Sequence, residues 1–282
     1  MEWLEEHKLP IGKMIARFVD FLNDYFFWFF DGLTQGLTFL IEGTANLMLA
    51  AHPFALIAGI AALAFYLHRS WKLTALIIPS LLLIINQGYW EGTAFTLSLV
   101  IWATIVCMAV GVPVGIAAAH RPKLWLILRP ILDMMQTLPT FVYLIPALIL
   151  FGLGMAPGLI ATVIFAVAAP VRLTYLGVSS VPTPLIEAAE SFGATKQQLL
   201  WKVEIPHALP TIMAGFTQCI MLSLSMVVIA AMVGAPGLGI PVLRAINTVN
   251  TAKGFEAGLA IVIVAILLDR ICKQRAGSSD GQ

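Results

Sequence analysis

The chain has 282 residues, 60% of them hydrophobic and 11% charged, with a mean hydropathy of +0.92 and a net charge of +1. A soluble domain is usually about 45–50% apolar and about 25% charged. These values exclude a soluble enzyme, a disordered chain and a nucleic-acid binder that works through a basic field.

Residues 1–10 are acidic and lack the basic start and cleavage site of a signal peptide. From there Ile11, Ile15, Phe18, Leu22, Phe26, Phe29 and Leu33 recur three or four apart, with Lys13, Arg17, Asp20, Asp24 and Asp31 between them. The pattern predicts an amphipathic helix lying in the membrane surface, within a segment 1–44. An eighth crossing through Leu33–Ala50 is the alternative. It would put Glu42 near mid-bilayer, at a cost of about 2.5–3.5 kcal/mol.

A transmembrane domain is expected over 45–272, with a cytoplasmic tail 273–282. About seven apolar runs supply its crossings: Ala45–Leu67, Leu73–Asn86, Thr93–Ala119, Thr137–Met155, Leu159–Tyr175, Ile212–Ala235 and Ala257–Leu268. The fold class is therefore an all-α integral membrane protein. Gly111 with Gly115, and Gly254 with Gly258, set small residues four apart and suit tight helix packing. Arg69, Lys72, Arg121, Lys123, Arg129, Arg172, Lys196, Lys202, Arg270, Lys273 and Arg275 fall on one side, against Arg244 and Lys253 on the other. Positive charge marks the cytoplasm. The C-terminus and the loop 176–208 are then inside, and seven crossings leave the N-terminus outside. Tyr89 and Trp90 fit an outer aromatic belt.

The spans carry little chemistry. Gly92–Ala119, Met134–Val171, Ala208–Leu243 and Ala257–Leu268 contain no Asp, Glu, Lys or Arg, which weakens a proton-coupled carrier but leaves a sodium site of carbonyls and hydroxyls open. His7, His52, His68, His120 and His207 lie at or beyond span ends, with no HExxH pattern. Cys107, Cys219 and Cys272 are far apart, outside any CxxC or Cys/His cluster, and read as apolar fillers. No catalytic group, metal site or cofactor is expected in this chain. No GxxxxGK[ST] occurs, so ATP would have to be bound by another polypeptide.

The loop 176–208 is the informative segment. Thr183 is an expected N-cap, Pro184–Phe192 a short helix, and Gly193 its left-handed stop. Thr195 with Gln198 forms a capping box for a second helix that Pro206 should end. Ala188, Ala189, Phe192, Leu199 and Leu200 then lie on a helix pair outside the membrane. Spacing alone fits either a docking surface or a hairpin folded back on its own protein.

Glu187-Ala188-Ala189, three residues, Gly193, nine residues and Val203-Glu204-Ile205-Pro206 resembles the EAA loop of bacterial ABC importer permeases. That pattern is Glu-Ala-Ala, three residues, Gly, nine residues, Ile-x-Leu-Pro; Val203 and Ile205 depart from it conservatively. INQGYW (85–90), LDMMQTLPTFVYLIPA (132–147), VRLTYLG (171–177) and SLSMVVIAAMVGAPGLG (223–239) are similar to permeases of glycine betaine/proline betaine importers.

The resemblance implies a type I importer permease fold in the bacterial inner membrane. It further implies a permease homodimer, two ATP-binding subunits that hold ATP and Mg, and an extracytoplasmic substrate-binding protein for quaternary ammonium osmoprotectants. Glu187, Ala188, Ala189, Gly193, Val203, Ile205 and Pro206 would then couple the permease to its ATPase. Aromatic faces suit quaternary ammonium groups, so Phe141, Tyr143 and Trp102 are candidate path residues. Asp133 and Arg172 are expected to pair at the inner mouth, or simply to sit in the interface. Gly234, Gly237 and Gly239 either bend an outer gate or end the sixth span. An ion-coupled carrier working alone and a non-transport scaffold remain as other classes.

Overall fold

The computed structural model describes residues 10–272, all in helices and short connections. The acidic residues 1–9 with His7, and the tail 273–282 with Lys273 and Arg275, lie outside the described residues. Helix is the expected answer for so apolar a chain, because it satisfies backbone polar groups within one segment where lipid offers no partner.

Helix α1 (Ile11–Ala50) is followed by α2 (Pro53–His68) and α3 (Trp71–Asn86). Next come α4 (Trp90–Ala119), α5 (Pro122–Thr137), α6 (Thr140–Phe151), α7 (Met155–Ala166) and α8 (Ala168–Ser179). Three helices, α4, α7 with α8, and the long body Lys196–Met232, are each long and apolar enough to cross a membrane. The count is five if α1 with α2, and α5 with α6, are each taken as one bent span. The remaining two expected runs fall on α3, which has 16 residues, and on the last helix, Thr251–Cys272.

Two expected spans are therefore not straight. Ala45–Leu67 breaks between α1 and α2 with a bend of 103°, and Thr137–Met155 breaks between α5 and α6 with a bend of 93°. The cause is the same in both. His52 (ψ 132°) precedes Pro53 and Leu138 (ψ 134°) precedes Pro139, and a residue before proline is pushed out of the helical region.

The boundary expected at 44/45 falls inside α1, which bends only at Phe26. The half before that bend exposes Phe18, Phe21 and Tyr25. The later half packs into the bundle. Ile41 and Ala45 are buried, Phe30 meets Phe151 edge-on, and the Ser98 hydroxyl donates to the Ile41 carbonyl at 2.5 Å.

The centre of the bundle is α8, pressed between α4 and α11 (Ile205–Ser225). A Cβ on Gly115 would sit 2.6 Å from Thr174 Cβ and 2.7 Å from the Val171 carbonyl, and one on Gly111 would sit 2.9 Å from the Pro170 ring. On the other side Gly177 leaves the same kind of gap for Ala208 and Thr211, at 3.1 Å. Gly254 and Gly258 differ: the first only touches Ala245 and the second faces open space.

Gly115→Leu should therefore lower the unfolding temperature of the detergent-solubilised chain, by an overpacking cost of about 1–3 kcal/mol or more. Gly258→Ala should leave it unchanged or raise it slightly. Equal effects at the two positions would contradict the packing described here.

Candidate coupling site

Between α8 and α11 the chain leaves the bundle. Helix α9 (Thr183–Ser191) starts one residue earlier than its sequence suggests: Pro182 is the N-cap, and Thr183 makes no capping bond. Pro182 is extended (ψ 129°), and its own backbone already sets the helix start. No residue of α9 is buried, and Glu187 and Ala188 are exposed while Ala189 is half-buried. Phe192, just past its end, is 93% exposed.

Gly193 has φ +77°, the left-handed stop expected of it. The Ala194 N–H donates to the Ala189 carbonyl at 3.1 Å and the Gly193 N–H to Glu190 at 2.8 Å, which closes the helix end. A Cβ at Gly193 would meet nothing within 4 Å, so a side chain there is disfavoured by backbone strain and would project into open space.

The capping box is present. The Gln198 N–H donates to Thr195 Oγ1 at 3.3 Å, and the Thr195 N–H to Gln198 Oε1 at 2.9 Å. It opens α10 (Lys196–Leu199), but Pro206 does not end the helix. A π-turn over Leu200–Glu204 carries α10 straight into α11, with the Ile205 N–H reaching back to Leu200. Widening the turn makes room for the proline ring, which would otherwise crowd the carbonyl four residues earlier, and Pro206 falls in the first turn of α11, where its missing N–H costs least. The two loop helices are thus unlike: α9 projects alone, whereas α10 is the end of a long bundle helix.

Val203 and Ile205 are half-buried on that continuous body, and Pro206 is exposed. Glu204 between them is buried and paired with His120, which follows α4. The pair is not legible from local pattern, since the two residues are 84 positions apart. A carboxylate two residues before a proline was the hint.

Asp133 and Arg172 do come together. Arg172 Nη2 donates to Asp133 Oδ1 at 2.7 Å and Nη1 to Gln136 Oε1 at 2.7 Å, joining α5 to α8. Gln136 was not singled out from sequence. Nearby, Trp125 and Tyr175 stack with centroids 3.7 Å apart.

The aromatic path candidates separate. Trp102 turns to α1, donating to the Leu40 carbonyl at 3.1 Å and to Thr44 Oγ1 at 3.0 Å, so it anchors that helix. Tyr143 packs beside Leu144, Ala161, Met226 and Val233, while Phe141 is exposed. Gly234 (φ +87°) and Gly237 (φ +143°) form a tight turn between α12 (Val227–Met232) and α13 (Gly239–Asn247). There Leu238 N–H donates to Thr96 Oγ1 at 2.9 Å, and Gly239 lies against the Val227 carbonyl. Cys107 and Cys219 are buried free thiols within the bundle.

Residues 111–272 match the model of the family described as binding-protein-dependent transport system inner membrane component. The glycine betaine transport system permease protein OpuAB of Bacillus subtilis (strain 168) is 48% identical, over 94% of this chain and 93% of its own length. The glycine betaine/carnitine transport permease protein GbuB of Listeria monocytogenes serotype 1/2a (strain 10403S) is 44% identical, over 93% of this chain and 94% of its own. Among solved structures, an inward-facing conformation of the MetNI methionine ABC transporter aligns with a TM-score of 0.56 at 23% identity. It covers 61% of this chain and 87% of the other, a likeness of fold.

Thr195→Ala removes one half of the capping box. The loss of about 0.5–2 kcal/mol should speed amide exchange over 196–199 by roughly 2- to 30-fold. Exchange in α9 should not change, and equal acceleration in both helices would show that they open as one unit.

Proposed function

The chain belongs to the binding-protein-dependent transport system inner membrane component family, and on that premise we propose that it forms half of an ATP-driven importer for osmoprotectants carrying a quaternary ammonium group. The observation that supports the coupling role best is α9. It stands clear of the bundle, buries none of its own residues, and ends at a glycine whose conformation fixes its direction. Glu187, Ala188 and Ala189 give this helix a small-residue surface that another protein can approach closely. With Gly193, Val203, Ile205 and Pro206 they form the element that seats in the ATPase.

On this reading the active complex holds two permease copies, two ATP-binding subunits and an extracytoplasmic binding protein. ATP and Mg belong to the ATPase, and this chain hydrolyses nothing. Closure of the ATPase pair moves the seated loops and turns the permease pair from inward- to outward-facing. The chain contributes a helix packing with two arrangements, and the ATPase state selects between them. Glycine betaine and carnitine, which relatives are named for, both present a methylated nitrogen. Phe141 and Tyr143 are the candidate contacts for it. Asp133 and Arg172 stand at the inner mouth, and Gly234, Gly237 and Gly239 at the outer turn. The excess of Arg and Lys on the loop side supports a cytoplasmic loop and C-terminus, and seven crossings would then leave the N-terminus outside.

Two tests follow from this arrangement. Gly193→Asp adds about 1–2 kcal/mol of left-handed strain and a charge at the turn. It should leave the permease in the membrane but lower both ATPase pull-down and ligand uptake in the same vesicles. Ala189→Trp should act similarly by steric exclusion, and Glu187→Ala should do less. Full binding and full uptake with Gly193→Asp would remove residues 187–206 from the coupling role. For orientation, a reporter joined after Gln282 should read cytoplasmic, and an external reading would invert the topology.

A further inference from the structure

Glu204 is the one charged side chain buried among the described residues, at 5% exposure. It closes the π-turn through which the loop enters α11. His120, the cap of α4, holds it with Nε2 at 2.9 and 3.1 Å from the two carboxylate oxygens. The other ring nitrogen, Nδ1, lies 3.0 Å from the Ile116 carbonyl. The ring thus faces an oxygen at each nitrogen, the Glu204 carboxyl on one side and the α4 backbone on the other, which fixes its orientation. A buried carboxylate is tolerated where it is paired, and this pairing ties one point of the loop to one point of α4.

The place of that tie matters mechanically. A π-turn ahead of a proline has fewer regular hydrogen bonds than the helix on either side, and turns of this kind act as bends and hinges. Left alone, it would let α9 and α10 swing while the bundle stayed still. The pair fastens the bundle end of this turn to the end of α4 from outside the helix. Next to it, Gly177 lies against Ala208, and Gly115 against Thr174, so α8 has no slack between α4 and α11.

We infer that His120 and Glu204 are positioning residues for coupling: they make the π-turn and the end of α4 move as one body, so that a displacement of the loop turns α4 and α8 instead of bending the chain at Leu200–Glu204. Glu204 occupies the variable position of the Val203-Glu204-Ile205-Pro206 run, outside the residues assigned above to the ATPase contact. The inference rests on the coupling reading of the loop and adds the joint through which the loop acts.

The test uses the assembled complex with its ATPase in proteoliposomes, reading uptake and ATP hydrolysis together, with ATPase pull-down as the measure of assembly. In His120→Ala and Glu204→Ala, hydrolysis should persist while uptake per ATP falls roughly fivefold or more. The double variant His120→Leu/Glu204→Met replaces the pair by apolar groups and removes the buried charge. It should assemble like the unaltered protein and still show the low ratio. Recovery of the full ratio in the double variant, or an unchanged ratio in the single ones, would overturn the inference. The near-isosteric Glu204→Gln carries the test where the others fail to assemble. Its ratio should fall roughly twofold or more, as expected for a weakened charge-assisted hydrogen bond, and an unchanged ratio would again overturn it. An unaltered complex that hydrolyses ATP without uptake would instead sink the coupling reading itself.

Discussion

Helix α8 meets α4 and α11 at contacts with no room for another carbon atom, and the rest of the bundle is arranged around them. Lipid tails are as apolar as leucine, so burial gives helices in a bilayer little reason to associate, and close backbone approach has to supply the attraction. Gly111 and Gly115 give α4 that approach to Pro170, Val171 and Thr174, and Gly215 gives it to α11 over Pro170 and Leu173. Pro170 can serve both sides because it lies in the first turn of α8, just after the step at Val167, where a missing N–H breaks no helical bond. Its ring presents a flat surface that fits a glycine.

The same clamp determines what the loop can do. Val181 is buried at one end of it and Glu204 at the other, and every residue from 182 to 203 is at least partly exposed. The loop therefore hangs from two fixed points on helices that already touch at Gly177 and Ala208. A flexible strap between those points would absorb any push. Here the left-handed stop at Gly193 and the capping box at Thr195 hold two helices at a set angle, and α10 has no free joint before α11 other than the π-turn.

How far the sequence could be read depends on how local each feature is. Gly193 and the Thr195–Gln198 box were legible because chirality and a three-residue spacing decide them within one turn. The pairing of Asp133 with Arg172 was legible because each is an isolated charge at a span end and needs a partner. The breaks at Ala51–His52 and Leu138–Pro139 were hidden by averaging hydropathy over a window, although the restriction before Pro53 and Pro139 was there to be read. Pro206 was misjudged for a different reason. Proline removes one hydrogen bond, but whether a helix stops or widens depends on the surroundings of the turn, and those include His120, far away in sequence, against Glu204. Trp102 shows the same limit: an indole in a span has a donor to place, and only the packing of α1 shows that Leu40 and Thr44 receive it.

The position of the charges then bears on how the work is done. The pairs Arg172–Asp133 and His120–Glu204 each join separate elements of the bundle. Between Gly92 and Ala119 the α4 sequence is free of charge. A proton relay along that helix would need acidic or basic groups part-way. A rigid body needs only firm attachment at its ends, and α4 has it. His120 fastens one end to the loop, while at the other Thr96 accepts from Leu238 and Gly92 lies against Gly237. With 30 residues at about 1.5 Å each, α4 is roughly 45 Å long, enough to cross the hydrocarbon core with both attachments outside it. On the proposed function, the turn at Gly234–Gly239 and the loop of α9 and α10 are the two ends of one lever, and a small rotation at His120 would reach Thr96 through α4 itself.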